Sequence, residues 1–287
     1  MRWKARREAA RAVLEGSACI HPASVHDPVS VRIAEGLGFE LGMFAGSVAS
    51  LAVLGAPDLI VLTLTEFAEQ ALRINRAASR LPLVVDADHG YGNALNVMRT
   101  VEELEIAGVA AMSIEDTELP TPYGTTKPRL IALDEGVGKI RAALAARQDK
   151  GLSIFARTGA VSVTGLEDAL LRAKAYCKTG ADGLFLTGVT KRAELDAIAE
   201  VATIPIILGT LSPEITDKAY LASRGVRIAL QGHLPFQAAI QALHATMKAL
   251  RDGVQPKDVG GLPEPALAKA VTREADYAAW GKGYLGG

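Results

Sequence analysis

Short, continuously apolar runs alternate along this chain with longer stretches in which apolar residues recur every three to four positions. These are the two periods expected of buried strands and of amphipathic helices. The runs at 81–85 and 109–114 carry the strand pattern most plainly, and 65–79 carries the helical one. Taken in order, strands are predicted over 18–21, 39–45, 83–85, 110–114, 152–156, 183–186, 205–208 and 226–230. Helices are predicted over 29–37, 50–54, 65–79, 94–107, 136–146, 167–178, 195–201, 212–223 and 235–251. Start signals accompany several of them: Asp27 as N-cap ahead of Pro28, Thr65 as a cap, and Ser212 with Pro213 behind it. Eight strand-then-helix units predict a (β/α)8 barrel. An open doubly wound sheet is the alternative, but the glycine-rich dinucleotide fingerprint it wants near the first strand is missing.

Two segments fall outside the rhythm. Residues 117–130, with Pro120, Pro122, Gly124 and Pro128, are too long and too punctuated for a plain connection and read as a lid. After Gly253 a Gly/Pro-rich stretch leads into a last predicted helix over 266–280. The domain reading is therefore a catalytic barrel over 1–252 and a helical tail over 253–287. Tyr277, Trp280 and Tyr284 are costly to leave exposed on such a tail, so it is expected to pack on a neighbouring subunit.

Composition narrows the function classes. The chain has 287 residues, 49% of them hydrophobic, and a formal net charge of -1, which describes a globular chain with no bias toward a nucleic-acid partner. Arg2, Arg6, Arg7 and Arg11 read as a solvated first helix rather than a targeting segment, because no apolar signal-type core follows them. No run approaches the roughly 20 apolar residues of a membrane span. Cys19 and Cys177 both sit in apolar surroundings, so packing roles in a reducing compartment, the cytoplasm, are expected.

The candidate chemistry gathers where strands end. The apolar run to Val85 stops in Asp86 and Asp88, spaced so that in extended chain both project to one side, and the run to Ile114 stops in Glu115-Asp116. Paired carboxylates cannot sit dry without a counter-charge. A hard divalent cation answers that need, since Mg²⁺ takes oxygen ligands and commonly only one or two carboxylates. The other strand ends offer Gly46-Ser47, Arg157, Thr187 and His233, and Asp58 lies in the connection after the second strand. Singly each has a plain structural reading; on one rim they form a site.

The segment VDADHGYGNALNVMRTVEELEIAGVAAMSIEDT resembles the signature region of the isocitrate lyase and phosphoenolpyruvate mutase superfamily, and the whole chain follows its pattern, most like the oxaloacetate decarboxylase branch. That resemblance implies Asp86 as the direct ligand of Mg²⁺, with Mn²⁺ a possible substitute, while Asp58, Asp88 and Glu115 hold its water ligands. It implies that Arg157, in FARTGA, pairs with an α-keto acid carboxylate that Gly46 and Ser47 also bind. It further implies a dimer with exchanged C-terminal helices assembling into a homotetramer.

Departures from the superfamily separate its reactions. The lyases carry a KKCGH-type cysteine on the lid; TELPTPYGTTKPRL has none, which disfavours isocitrate or methylisocitrate cleavage. Thr125 or Thr126 could imitate the phosphoryl contact of the phosphonopyruvate enzymes. His233, in LQGHLPF, matches the decarboxylases, whereas Gly159 replaces a larger polar residue. The expected reaction is decarboxylation of oxaloacetate, or a 3-alkyl analogue, to pyruvate-type product and CO₂ through a metal-stabilised enolate, with Arg157 and His233 acting on the substrate. The alternatives are a methylisocitrate lyase-type or phosphonopyruvate-processing enzyme, and a barrel that has lost its chemistry and serves as a binding protein.

Overall fold

The structure, a computed structural model, describes residues 3–286, so Arg2 lies outside the described residues. Eight parallel strands follow one another around a single sheet: β1 (Ala23–Ser24), β2 (Gly42–Phe44), β3 (Leu83–Asp86), β4 (Ala111–Glu115), β5 (Ser153–Thr158), β6 (Gly183–Leu186), β7 (Ile206–Leu208) and β8 (Val226–Ala229). Ile20 then bridges Ile228 in parallel, donating its N–H to Arg227 at 2.9 Å and accepting that of Ala229 at 3.0 Å. The sheet thus curls until the chain just before β1 meets β8, as the predicted (β/α)8 fold requires. The expected first strand, 18–21, is corrected: the ladder starts at Ala23 and leaves Ile20 as a lone bridge. Pro22 has no N–H to donate and interrupts the pairing between them.

The helices of the first part are α1 (Lys4–Glu15), α2 (Pro28–Gly36), α3 (Gly46–Ala49), α4 (Leu64–Ala77), α5 (Ala94–Ile106), α6 (Leu133–Ala146), α7 (Ala160–Val163), α8 (Leu166–Cys177), α9 (Arg192–Val201) and α10 (Lys218–Ser223). As expected, Asp27 caps α2 with Pro28 at its first position, and Ser30 completes a reciprocal capping box. The cap of α4 is Thr63, not Thr65: its hydroxyl accepts from Glu66 N while Glu66 accepts from Thr63 N. The predicted helix 212–223 begins only at Lys218. Asp217, whose carboxylate accepts from Ala219 and Tyr220 N, is its cap, and the Ser212 hydroxyl donates to the Thr190 carbonyl instead. The intervening chain is drawn off axis by Ile215, which is fully buried.

The first helix is not a solvated one. Arg6 and Arg7 are buried, Arg6 donating to the Asn75 and Ala78 carbonyls and Arg7 to those of Glu105 and Val109. Three of these oxygens close α4 and α5, where helix carbonyls lack intrahelical donors. Cys19 is buried, Cys177 is half-buried, and both are free thiols, in line with packing roles.

The chain divides into two compact units, residues 1–232 and 233–287. The second holds α11 (Leu234–Arg251), α12 (Pro265–Thr272) and α13 (Glu274–Tyr284), none of which buries a residue within one chain. The expected single helix over 266–280 is corrected to two, broken at Arg273, whose φ of 58° cannot continue a right-handed helix. None of the described helices is long and apolar enough to cross a membrane.

Candidate active site

Strand β3 is apolar and buried throughout and ends on Asp86, so the first carboxylate is delivered to the rim on a rigid support. The chain then coils rather than running on: Asp88, Gly90, Tyr91 and Gly92 have φ of 47°, 76°, 60° and 147°. This corrects the extended spacing expected of Asp86 and Asp88; the two acids meet through a left-handed turn. Asp tolerates that conformation better than most residues. At Gly90 a Cβ would lie 2.4 Å from Val97, so the position requires glycine twice over. The turn is tied to β4 by Ala87 N donating to Ser113 at 3.1 Å and Glu115 N donating to Asp88 at 2.8 Å.

On this frame Asp86, Glu115 and Arg157 converge. Arg157 Nη1 pairs with Asp86 Oδ2, and Nη2 lies 3.4 Å from Glu115 Oε2. Ser113 donates to Asp86 Oδ1 at 2.8 Å and Thr117 to Glu115 Oε2 at 2.9 Å. The guanidinium rests over the Phe185 ring, 5.5 Å from its centroid, and its Nε–H is buried without a protein partner. Asp88 joins the group from the side of α3. Its carboxylate oxygens stand 2.4 and 2.5 Å from where a Cβ on Gly46 would be, so Gly46 is the residue that admits Asp88. Ser47 follows in the first turn of α3, whose leading N–H groups have no intrahelical acceptors. Asp58 is exposed, in the connection after α3, and near enough to act on Asp88. His233 takes the N-cap position of α11, at the start of the second unit.

Charge is unbalanced here. Burial, then Asp86 and Glu115, hold Asp88 well above the usual carboxylate range. Burial also raises Glu115, against the opposing pull of Arg157. For Arg157, burial alone would lower its basicity, but Asp86 and Glu115 together hold it up. One guanidinium is too little positive charge for Asp58, Asp86, Asp88 and Glu115 to ionise together, and a small cation would supply the rest. Among the described residues no three acid, histidine or cysteine side chains form a ready ligand set, so such an ion needs water for most of its ligands.

Sequence reasoning treated Glu115-Asp116 as one acidic end, and the structure separates them. Asp116 turns away to accept from Tyr176 at 2.7 Å and Arg172 at 2.9 Å, all three buried. Arg172 also donates to the Ile131 carbonyl, and Ile131 N donates to Asp116, so this cluster fastens the far foot of the 117–130 loop to β4. Strand alternation was the available signal, since adjacent residues point to opposite faces. The feet of the loop are joined by the Thr117–Leu130 bridge and by Glu118 N donating to Arg129 at 2.8 Å, while Tyr123 at its tip is wholly exposed. His89 and Lys139 are a further buried pair beside the site; burial, with Lys139, lowers His89 to about 4.

Residues 11–251 match the family model described as phosphoenolpyruvate phosphomutase. A protein of Bradyrhizobium sp. (strain ORS 278) named oxaloacetate decarboxylase is 58% identical over 286 residues, covering 100% of this chain and 99% of that protein. Among solved structures, phosphonopyruvate hydrolase in complex with oxalate and Mg²⁺ is similar with a TM-score of 0.86 at 27% identity, covering 98% of this chain and 99% of that one. Oxaloacetate acetylhydrolase in complex with 3,3-difluorooxalacetate is similar with a TM-score of 0.85 at 28% identity, covering 99% and 98%. With its barrel closed in strand order, its acids and arginine on one rim, and a match that spans most of its length, the chain belongs to the phosphoenolpyruvate phosphomutase family.

Proposed function

We propose that this protein is a divalent-metal-dependent oxaloacetate decarboxylase. The observation that carries the reading is the state of Arg157, whose two terminal nitrogens are held by Asp86 and Glu115 while its buried Nε–H has no protein acceptor. A buried N–H left unpaired is costly, and a planar α-keto carboxylate beside Asp86 would satisfy it. The name carried by the full-length relatives agrees with that reading. Mg²⁺ fits the donor set: Asp86 would ligate it directly, and Asp88, Glu115 and Asp58 would hold its waters, their excess charge being offset. When bound, the ion supplies a Lewis acid beside the substrate ketone.

The chain's own residues do the rest. The first amides of α3 at Gly46 and Ser47, with Arg157, bind the carboxylate next to the ketone and fix the substrate's orientation. The bond between C3 and C4 then breaks, its electron pair passing toward the ketone and C4 leaving as CO₂; C3 takes a proton from water to give pyruvate. His233 is assigned to orient the substrate by a hydrogen bond to the keto oxygen or the departing carboxylate. The 117–130 loop offers no thiol acid of the kind used to protonate a large leaving enolate, which favours decarboxylation over lyase chemistry. The proposed setting is the cytoplasm, where Cys19 and Cys177 stay reduced, and the proposed assembly is a homotetramer of helix-exchanged dimers.

The test is release of pyruvate and CO₂ from oxaloacetate, corrected for the metal-catalysed background. Asp86→Ala is expected to fold and to lose both Mg²⁺ binding and turnover. Near wild-type turnover in that variant, full activity in excess chelator, or faster release of glyoxylate or succinate from an isocitrate-type substrate would overturn the assignment.

A further inference from the structure

The rim of the barrel is charged on one side and neutral on the other. Asp86, Glu115 and Arg157 come from β3, β4 and β5, whereas β6, β7 and β8 end in Leu186-Thr187-Gly188, Leu208-Gly209-Thr210 and Ala229-Leu230. The strand register aligns Arg157 with Phe185 and Phe185 with Ile207. Beyond that row, Thr187 N donates to Thr158 O at 3.1 Å and Gly209 N to Leu186 O at 2.8 Å, so Gly159, Thr187 and Gly209 succeed it on three neighbouring strands.

Thr187 stands between two residues that have no side chain. A Cβ on Gly159 would lie 3.1 Å from the Thr187 Oγ1, and one on Gly209 would lie 2.7 Å from its Cγ2 and 2.9 Å from Phe185 Cε2. The Phe185 ring is the surface over which Arg157 rests. Thr187 is half-exposed, and its hydroxyl has no acceptor or donor among the described residues. The hydroxyl therefore sits one residue layer above the arginine, with Thr187 itself packed into the gaps that the two glycines leave, and β6 to β8 end on the uncharged Leu186, Leu208 and Ala229.

We propose that Thr187, seated against Gly159 and Gly209, contributes its hydroxyl to the subsite for the end of the substrate remote from Arg157, the C4 carboxylate. This rests on the decarboxylase reading and adds to it a specificity-determining residue. A carboxylate about to leave as neutral CO₂ loses charge in the transition state, so a cation holding it would stabilise the ground state more and slow the step. One neutral hydroxyl helps fix its orientation without that penalty.

The experiment compares two ligands by calorimetric titration in the presence of Mg²⁺: oxalate, which lacks C3 and C4, and 3,3-difluorooxaloacetate, which has both. Thr187→Val keeps the shape and removes the hydroxyl; Thr187→Ser keeps the hydroxyl. Thr187→Val is expected to weaken the difluoro compound about tenfold or more and leave oxalate within about threefold, the range of one hydrogen bond to a charged group. Thr187→Ser should stay close to wild type for both. Equal losses for the two ligands, or no loss in Thr187→Val, overturns the subsite. Because binding is read directly, a wild-type protein that binds both ligands yet releases no pyruvate would overturn the decarboxylase reading alone.

Discussion

The site is built from residues that leave little latitude for substitution. Asp88 occupies the volume a side chain at 46 would need, so Gly46→Ala must displace the carboxylate from its place. That variant is expected to bind Mg²⁺ or Mn²⁺ at least tenfold more weakly with its fold intact, as followed by calorimetry and circular dichroism; unchanged affinity would place Asp88 outside the ion's surroundings. Arg157→Ala removes a counter-charge shared by Asp86 and Glu115 together with the proposed carboxylate donor. Truncating such a partner typically costs a few kcal/mol, hence about two decades in affinity for oxalate. Oxalate inhibition that stays at the wild-type level would mean that the carboxylate binds elsewhere. The residue types at these strand ends were legible in the sequence because buried apolar runs stop abruptly in charge at 86, 115 and 157. What could not be read there was direction: the left-handed backbone of Asp88, and the turn of Asp116 away from Glu115 toward Arg172 and Tyr176, are settled by tertiary contacts.

Among the elements, strands and long helices follow the hydrophobic period closely, and the misreadings fall at ends and in short pieces. Thr63 and Thr65 offer the same hydroxyl, and the choice between them is made by Glu66, which lies three residues after Thr63 and closes a reciprocal box. The buried arginines of α1 carry no sequence signal that distinguishes them from solvated ones; only the carbonyls they meet at the ends of α4 and α5 do so. A similar device holds the turn between α4 and β3. The Glu35 carboxylate accepts from the N–H groups of Ser79, Arg80 and Leu81 and from the Ser79 hydroxyl. Burial by itself would raise its pKa, but these donors together bring it below the ordinary value. A depressed folded-state pKa means stability that is present above the unfolded value and lost as pH falls through the folded one. Glu35→Gln is therefore expected to lose about 1 kcal/mol at neutral pH, a modest figure for a half-exposed group. The gap between the two proteins should close as the pH falls below about 4. Denaturant melts at several pH values check it, and a gap that persists undiminished into acid would show that the carboxylate's charge is not what holds the turn.

At the scale of the whole molecule the unresolved balance is apolar surface. Helix α11 presents Ile240, Leu243, Met247 and Leu250, spaced three or four residues apart on one face and between 43% and 64% exposed in a single chain. Tyr277, Trp280 and Tyr284 add a second exposed group on α13, with Tyr277 and Trp280 in edge contact at 5.1 Å. A stripe at helical spacing is the pattern of a face that packs, and a monomer rarely leaves so much contiguous apolar area to water. The proposed tetramer of helix-exchanged dimers would supply the cover, with α11 to α13 of one subunit lying against another. Light scattering on the purified protein at micromolar concentration is expected to give the mass of four chains. Met247→Asp places a charge in the middle of the stripe, where association would have to bury it, and the larger species should give way to smaller ones while the barrel's far-ultraviolet dichroism is kept. A wild-type protein that is monomeric at that concentration would remove the exchange from the account and leave the stripe to a partner of another kind.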